Sequence, residues 1–223
     1  MTAGVGRGQS RKPGDGEPSA VAPVRLRLLN RWMVEDMLED LAGLYAEARA
    51  TAPGEAYRRP GRRNFLNRLT TDMRRPGFAM VVGETDGLMG CAFGFPARGD
   101  GSWWFGPDGV LPRSIDQLPL PDRVFAFGDI LIRPQPRDRE LARRVQERLL
   151  TDHQASLGAT LVDRADRATS AAFRSWGWLD VGELRGPAGP TRFRALVLPV
   201  GERTTARLEG LAAMPGGGGP GGP

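Results

Sequence analysis

The chain is poor in the side chains that most catalytic and metal-binding chemistry uses. Cys91 is the only cysteine and His153 the only histidine. That excludes a disulfide framework, a zinc cluster of Cys and His ligands, and any Ser-His-Asp triad not built on His153. Cys91 lies in an apolar run and reads as a small core residue. His153 falls late in a helical pattern, where a cation near the C-terminus is favourable, and reads as structural. Lys12 is the only lysine, so the net charge of +5 rests on arginine. The arginines form no stripe interleaved with stacking aromatics, so nucleic acid is not favoured as a partner. No apolar stretch approaches the ~20 residues that span a bilayer, and the N-terminus has no signal-peptide core. The reading is no membrane partner and a cytoplasmic location.

What is present is enough for one core. A chain of 223 residues with 40% hydrophobic content suits a single domain, placed at residues 23–201. Residues 1–22 are mostly Gly, Pro, Ser and charge, and 202–223 end in Gly and Pro; both are expected to be disordered tails. Val24, Leu26 and Leu28 alternate with Arg25 and Arg27 as in a strand with one wet side. Asn30 then caps a helix whose apolar face carries Val34, Met37, Leu38, Leu41, Leu44, Tyr45 and Ala48. A second helix is expected over 63–74 from Phe65, Leu66, Leu69 and Met73, ended by Pro76-Gly77. Residues 78–84 and 88–95 read as a hairpin across Thr85-Asp86-Gly87, with Pro96 opening an irregular insertion. Residues 124–132 form a buried strand stopped by Pro134 and Pro136. A helix follows from about Asp138, with Leu141, Ala142, Val145 and Leu149 on one side. A strand at 159–162, a helix over 167–176 ending at Gly177, and strands at 181–184 and 193–200 complete the pattern.

The turn from the central strand into its helix is a natural anion site, because the unpaired N–H groups of a helix N-terminus point outward together. Ile130, Ile132, Pro134, Arg137 and Ala142 fall in register with an apolar-x-apolar-x-Pro-x-x-Arg-Gly-x-Gly-x-Ala pattern. Asp166, Thr169, Phe173, Gly177 and Trp178 follow the spacing of a second, Asn-x-x-Ala-x-x-x-Tyr-x-x-x-Gly-Phe. With these two patterns and the order of elements, residues 24–200 resemble the GNAT superfamily of N-acetyltransferases. The resemblance implies an α/β fold: one mixed, mostly antiparallel twisted sheet with helices on both faces. It implies an acyl-coenzyme A-dependent N-acyltransferase, moving acetyl from acetyl-coenzyme A to an amino group of a small molecule or protein. The departures, Asp138 and Glu140 at the two glycine positions and Phe173 at the tyrosine, keep a second reading open: a catalytically silent relative with a binding or regulatory role. A homodimer is compatible with either.

The resemblance also assigns residues. The main chain of Ile130, Leu131 and Ile132 is placed along the pantetheine arm. Arg137, Asp138, Arg139, Glu140, Leu141 and Ala142 surround the pyrophosphate, and Asp166 and Phe173 complete the coenzyme side. Two carboxylates beside an anion are unfavourable: a like-charge pair at ~4 Å costs about 4 kcal/mol at an effective dielectric near 20. Arg137 and Arg139 offset this by pairing with phosphate or with those acids. Alternatively, Asp138 caps the helix and Glu140 satisfies its dipole, filling the site internally. Asp129, an acid inside an apolar run, is the candidate base. Its alternative is structural, with Gly128-Asp129 marking a bulge and the carboxylate bonding nearby backbone. Arg58, with Arg59, Arg62 and Arg63, and the pair Trp103 and Trp104 are candidate acceptor contacts. Surface charge and a cover over a core edge are their respective alternatives. No metal ligand set is found.

Overall fold

The computed structural model describes residues 23–50, 61–98, 123–134, 138–185 and 191–201. Arg58, Arg59, Trp103, Trp104, Arg137 and the two tails lie outside the described residues.

Seven strands form one sheet: β1 (Arg25–Leu29), β2 (Ala79–Glu84), β3 (Leu88–Arg98), β4 (Arg123–Ile132), β5 (Leu157–Asp163), β6 (Leu179–Arg185) and β7 (Arg192–Pro199). Their spatial order is β1-β2-β3-β4-β5-β7-β6. Every neighbouring pair is antiparallel except β4 with β5. The helices are α1 (Arg31–Glu35), α2 (Leu38–Ala50), α3 (Arg62–Asp72), α4 (Asp138–Asp152) and α5 (Arg167–Ser175). Among the described residues no helix is long and apolar enough to cross a membrane.

Helices cover both faces because the central strands are apolar on both sides, as strands buried on two faces must be. Phe125, Phe127, Ile130 and Ile132 of β4 pack with Leu141, Val145 and Leu149 of α4 and Phe173 of α5. Leu131, one residue out of phase, points to the other face and joins Phe93, Met80, Val34, Leu41, Phe65 and Leu69 beneath α1–α3. Gly83 and Gly90 admit α4 closely: a β-carbon on Gly83 would meet a Leu141 methyl at 2.7 Å. The mixed sheet with helices on both faces is therefore as the sequence predicts.

The details correct several expectations. The first helix is two helices. Asn30 does cap α1, its Oδ1 accepting from the Trp32 and Met33 amides, but Met37 N then donates to Val34 O at 3.0 Å and the helix closes. α2 restarts from the Leu41 N to Met37 O bond. Val34 and Leu41 are both fully buried, so the apolar spacing runs through the break and hides it. Pro96 does not end β3, which continues to Arg98 with Pro96 facing Phe125. β2 ends opposite Gly94, so the missing proline N–H lies where, among the described residues, β3 has no second strand to pair with. Asp138 is the first residue within α4 and not its cap. His153 lies just past α4 with its ring 4.8 Å from that of Phe125, and burial pushes its imidazole below the usual histidine range.

Candidate functional site

β4 and β5 stay together for only three rungs. Val124, Phe125 and Ala126 pair with Leu157, Gly158 and Ala159, and beyond them no ladder joins the two strands among the described residues. Gly128 is the reason. Against β3, Phe93 pairs with Asp129 and Gly94 with Phe127, leaving Gly128 as the extra residue of a bulge, which bends a strand and redirects its side chains. Only glycine fits: a β-carbon there would lie 2.6 Å from both Asp72 Oδ2 and the Phe93 ring. Thr160 Oγ1 donates to Phe127 O at 3.0 Å, satisfying the first carbonyl past the last rung. A cavity of about 350 Å³ opens in the gap, lined among others by Tyr45, Arg49, Arg68, Asp129, Asp166 and Phe173.

Asp129 projects from the bulge and is only 5% exposed. Its Oδ1 accepts from the Ile130 amide at 2.9 Å. Arg49, from α2, reaches both oxygens with Nη2 at 3.2 and 3.4 Å. Arg68, from α3, stands 3.5 Å from Oδ2. The structural reading of this residue describes the arrangement, since Gly128-Asp129 does mark a bulge and the carboxylate does bond backbone. Two guanidiniums thus partner this buried carboxylate.

Arg49 also crosses the gap. Its Nη1 is 3.6 Å from Asp166 Oδ2 and donates to Thr169 Oγ1. Asp166 caps α5, accepting from the Thr169 amide at 2.9 Å and from its hydroxyl at 2.7 Å. Burial would push the Arg49 guanidinium down, but Asp129 and Asp166 outweigh it and hold it above the usual arginine value. Tyr45 lies one turn earlier on α2, its ring stacked on Phe65 at 4.6 Å, and burial pushes its phenol up. Asp72, against the bulge from α3, is likewise raised by burial, with Arg75 opposing. Cys91 is fully buried and its thiol is pushed so far up by burial that it is inert.

The structure brings Asp129, Asp166 and Phe173 to one cavity. The side chains of Ile130, Leu131 and Ile132 turn into the two cores, which leaves main chain at the gap. Leu141 and Ala142 are core residues. Arg139 and Glu140 are exposed at the start of α4. Glu140 pairs with Arg143 at 3.0 Å, which holds its carboxyl below the usual range. Arg62 pairs with Glu39, and Arg63 is exposed. Phe173 is buried, with its ring 5.0 Å from Trp178 and 5.4 Å from Trp176. Sequence reasoning assigned no site role to Tyr45, Arg49, Arg68 or Thr169. One signal was available: Leu41, Tyr45 and Arg49 repeat at four residues on a buried helix face, so Arg49 continues an apolar stripe.

No family profile matches the sequence, and no curated protein does. Solved structures do. A protein from Desulfovibrio desulfuricans assigned as a GNAT-family acetyltransferase superposes with a TM-score of 0.50 at 13% identity, covering 79% of this chain and 99% of its own. A spermidine N-acetyltransferase variant from Vibrio cholerae has a TM-score of 0.45 at 13% identity, covering 79% of this chain and 93% of its own. An assigned acetyltransferase from Salmonella typhimurium, solved with its cofactor acetyl-coenzyme A, has a TM-score of 0.43 at 12% identity, covering 81% and 96%. The class is therefore a single mixed α/β domain with its cleft at the one parallel strand junction among the described residues. That architecture is the GNAT fold.

Proposed function

We propose that the protein is an acyl-coenzyme A-dependent N-acyltransferase acting on an amino group. The observation that carries this reading is the gap between β4 and β5, with the buried carboxylate of Asp129 at the bulge where the strands part. The residues present suit the donor's pantetheine arm, because an extended, amide-bearing chain needs a strand whose main chain is not already paired on that side. Ile130, Leu131 and Ile132 would hold the arm. Arg137, Asp138, Arg139 and Glu140, at or just before the start of α4, would border the phosphates, with the helix N-terminus favouring the anion. Leu141 and Ala142 would support that turn from the core.

Acetyl-coenzyme A, when bound, supplies an acyl group activated as a thioester. The chain's own groups handle the protons. Asp129 takes the proton from the acceptor's ammonium, so that the nitrogen carries a lone pair. Phe173 has no proton to give to the departing thiolate. Tyr45, on the wall of the same cavity, has one, and burial pushes its phenol up. Arg58, Trp103 and Trp104 remain the proposed acceptor contacts.

Thermal unfolding with a titration of acetyl-coenzyme A and of free coenzyme A tests the binding step. Donor at ~100 times its dissociation constant adds about 2.7 kcal/mol, a shift of several degrees for this size. A saturable shift followed by turnover in an amine screen supports the assignment; no shift at millimolar donor ends it. Asp129→Asn is then expected to lower kcat at least about a hundredfold with donor affinity little changed. Tyr45→Phe should lower kcat less. Unchanged turnover in either variant removes that residue from the mechanism.

A second reading, a silent GNAT-fold binding protein, is favoured by one observation. Arg49 spans the cleft and already satisfies both Asp129 and Asp166.

A further inference from the structure

Past the Thr160 to Phe127 bond, the side chain of Arg49 bridges the slot between β4 and β5. Arg49 leaves α2 and reaches Asp129 on β4 with one terminal nitrogen and the α5 cap, Asp166 and Thr169, with the other. Its side chain is 19% exposed, and Asp129, Asp166 and Thr169, which it ties together, all line the cavity. No rung of the sheet crosses the gap at this level. An extended ligand lying between the strands as far as the bulge would therefore meet the guanidinium head-on.

We infer that Arg49 is a displaceable plug: the acyl end of the donor must push it off Asp166 and Thr169 before the cleft is complete, and its departure frees Asp129 for the acceptor's ammonium. The inference rests on the acyltransferase reading above, and it adds a change of partner for Asp129. Before the donor arrives, Asp129 is neutralised by Arg49 and Arg68 and has little to offer a cationic acceptor. Once Arg49 is displaced, Arg68 is its remaining arginine contact, at 3.5 Å and half-exposed. A cationic amine then becomes the natural replacement.

The test is calorimetric titration of coenzyme A and acetyl-coenzyme A into the wild-type chain and into Arg49→Ala, Arg49→Gln and Arg49→Lys. Removing a positive charge near the path of an anionic ligand ordinarily weakens binding. Tightening therefore reports a relieved obstruction, which a merely structural arginine would not produce. Expected is a dissociation constant about tenfold lower, ~1.4 kcal/mol, for Arg49→Ala and Arg49→Gln, with Arg49→Lys close to wild type. The unliganded Ala and Gln variants should unfold at lower temperature, because Asp129 and Asp166 lose their shared partner. If Arg49→Ala does not fold, Arg49→Gln carries the comparison.

The outcomes separate the two claims. A wild type that binds, with variants that bind no more tightly, overturns the plug and leaves the acyltransferase reading standing. Binding by the Ala and Gln variants alone shows an obstruction that the donor does not displace, which overturns the displaceable plug and makes the wild type the silent relative. Failure of every chain to bind removes both.

Discussion

At the scale of the residue, the bulge at Gly128 does two jobs. It separates β4 from β5, and it leaves room for Asp72, whose Oδ2 would be 2.6 Å from any β-carbon at that position. In Gly128→Ala the Asp72 carboxylate can swing aside, but the Phe93 ring stands as close and must shift too. The expected cost is about 1–3 kcal/mol, as for overpacking elsewhere, read as a lower urea midpoint at unchanged m-value. A midpoint equal to wild type would show that the bulge relaxes. Asp72 itself predicts a pH effect. Burial raises its carboxyl in the folded chain, with Arg75 only partly opposing. A group raised on folding contributes stability that is fully present below its unfolded value, ~4 for aspartate, and is lost as the pH rises through the folded value. Asp72→Asn should flatten the stability profile above about pH 4 and melt at or above the wild-type temperature at pH 7. A lower melting temperature there would mean that the Arg75 and Arg68 contacts outweigh the burial.

At the scale of the element, short helices depend on their ends. α1 is five residues long and its cap is the one polar side chain that organises it, with Asn30 Oδ1 taking two amide hydrogens. Asn30→Ala is expected to cost about 1 kcal/mol, a fall of a few degrees in melting temperature. The loss should be local, appearing as faster amide exchange at Trp32 and Met33 and leaving α2 unchanged. Equal protection in the variant would place the stability of α1 in the packing of Val34. Asn30, Pro76-Gly77 and the Asp86-Gly87 hairpin were all legible in the sequence because a cap or a turn is a local contract between neighbours. The break between α1 and α2 was not. Its apolar residues keep helical spacing on both sides, and periodicity reports which face is buried, not whether the axis is continuous.

At the scale of the whole molecule, the two halves of the sheet meet over three rungs and are held mainly by the core beneath α4 and α5. Trp178 is central to it. Its ring packs edge-on against Phe127 and Phe173, and its indole N–H donates to Gln146 Oε1 on α4. Gln146 is 1% exposed, so Trp178→Phe strands a buried amide oxygen and is expected to cost about 1–3 kcal/mol beyond the lost ring area. The whole domain should unfold at lower urea in one transition; two transitions would show that the halves are independent units.

The sequence by itself determined the order of strands and most of the helices, the burial of β4 on both faces and the family likeness, and it offered the bulge at Gly128-Asp129 as one of two readings. Each is written in residues that touch or alternate along a few turns of chain. Only the tertiary structure decided what the buried acid meets. Arg49 is 80 residues from Asp129 and 120 from Thr169, and nothing local marks an arginine at the end of an apolar stripe as the one that will cross a cleft. Such a meeting depends on how α2 lies on the sheet and on where β4 parts from β5. Both are settled by the packing of the whole core, after the local rules have been used up.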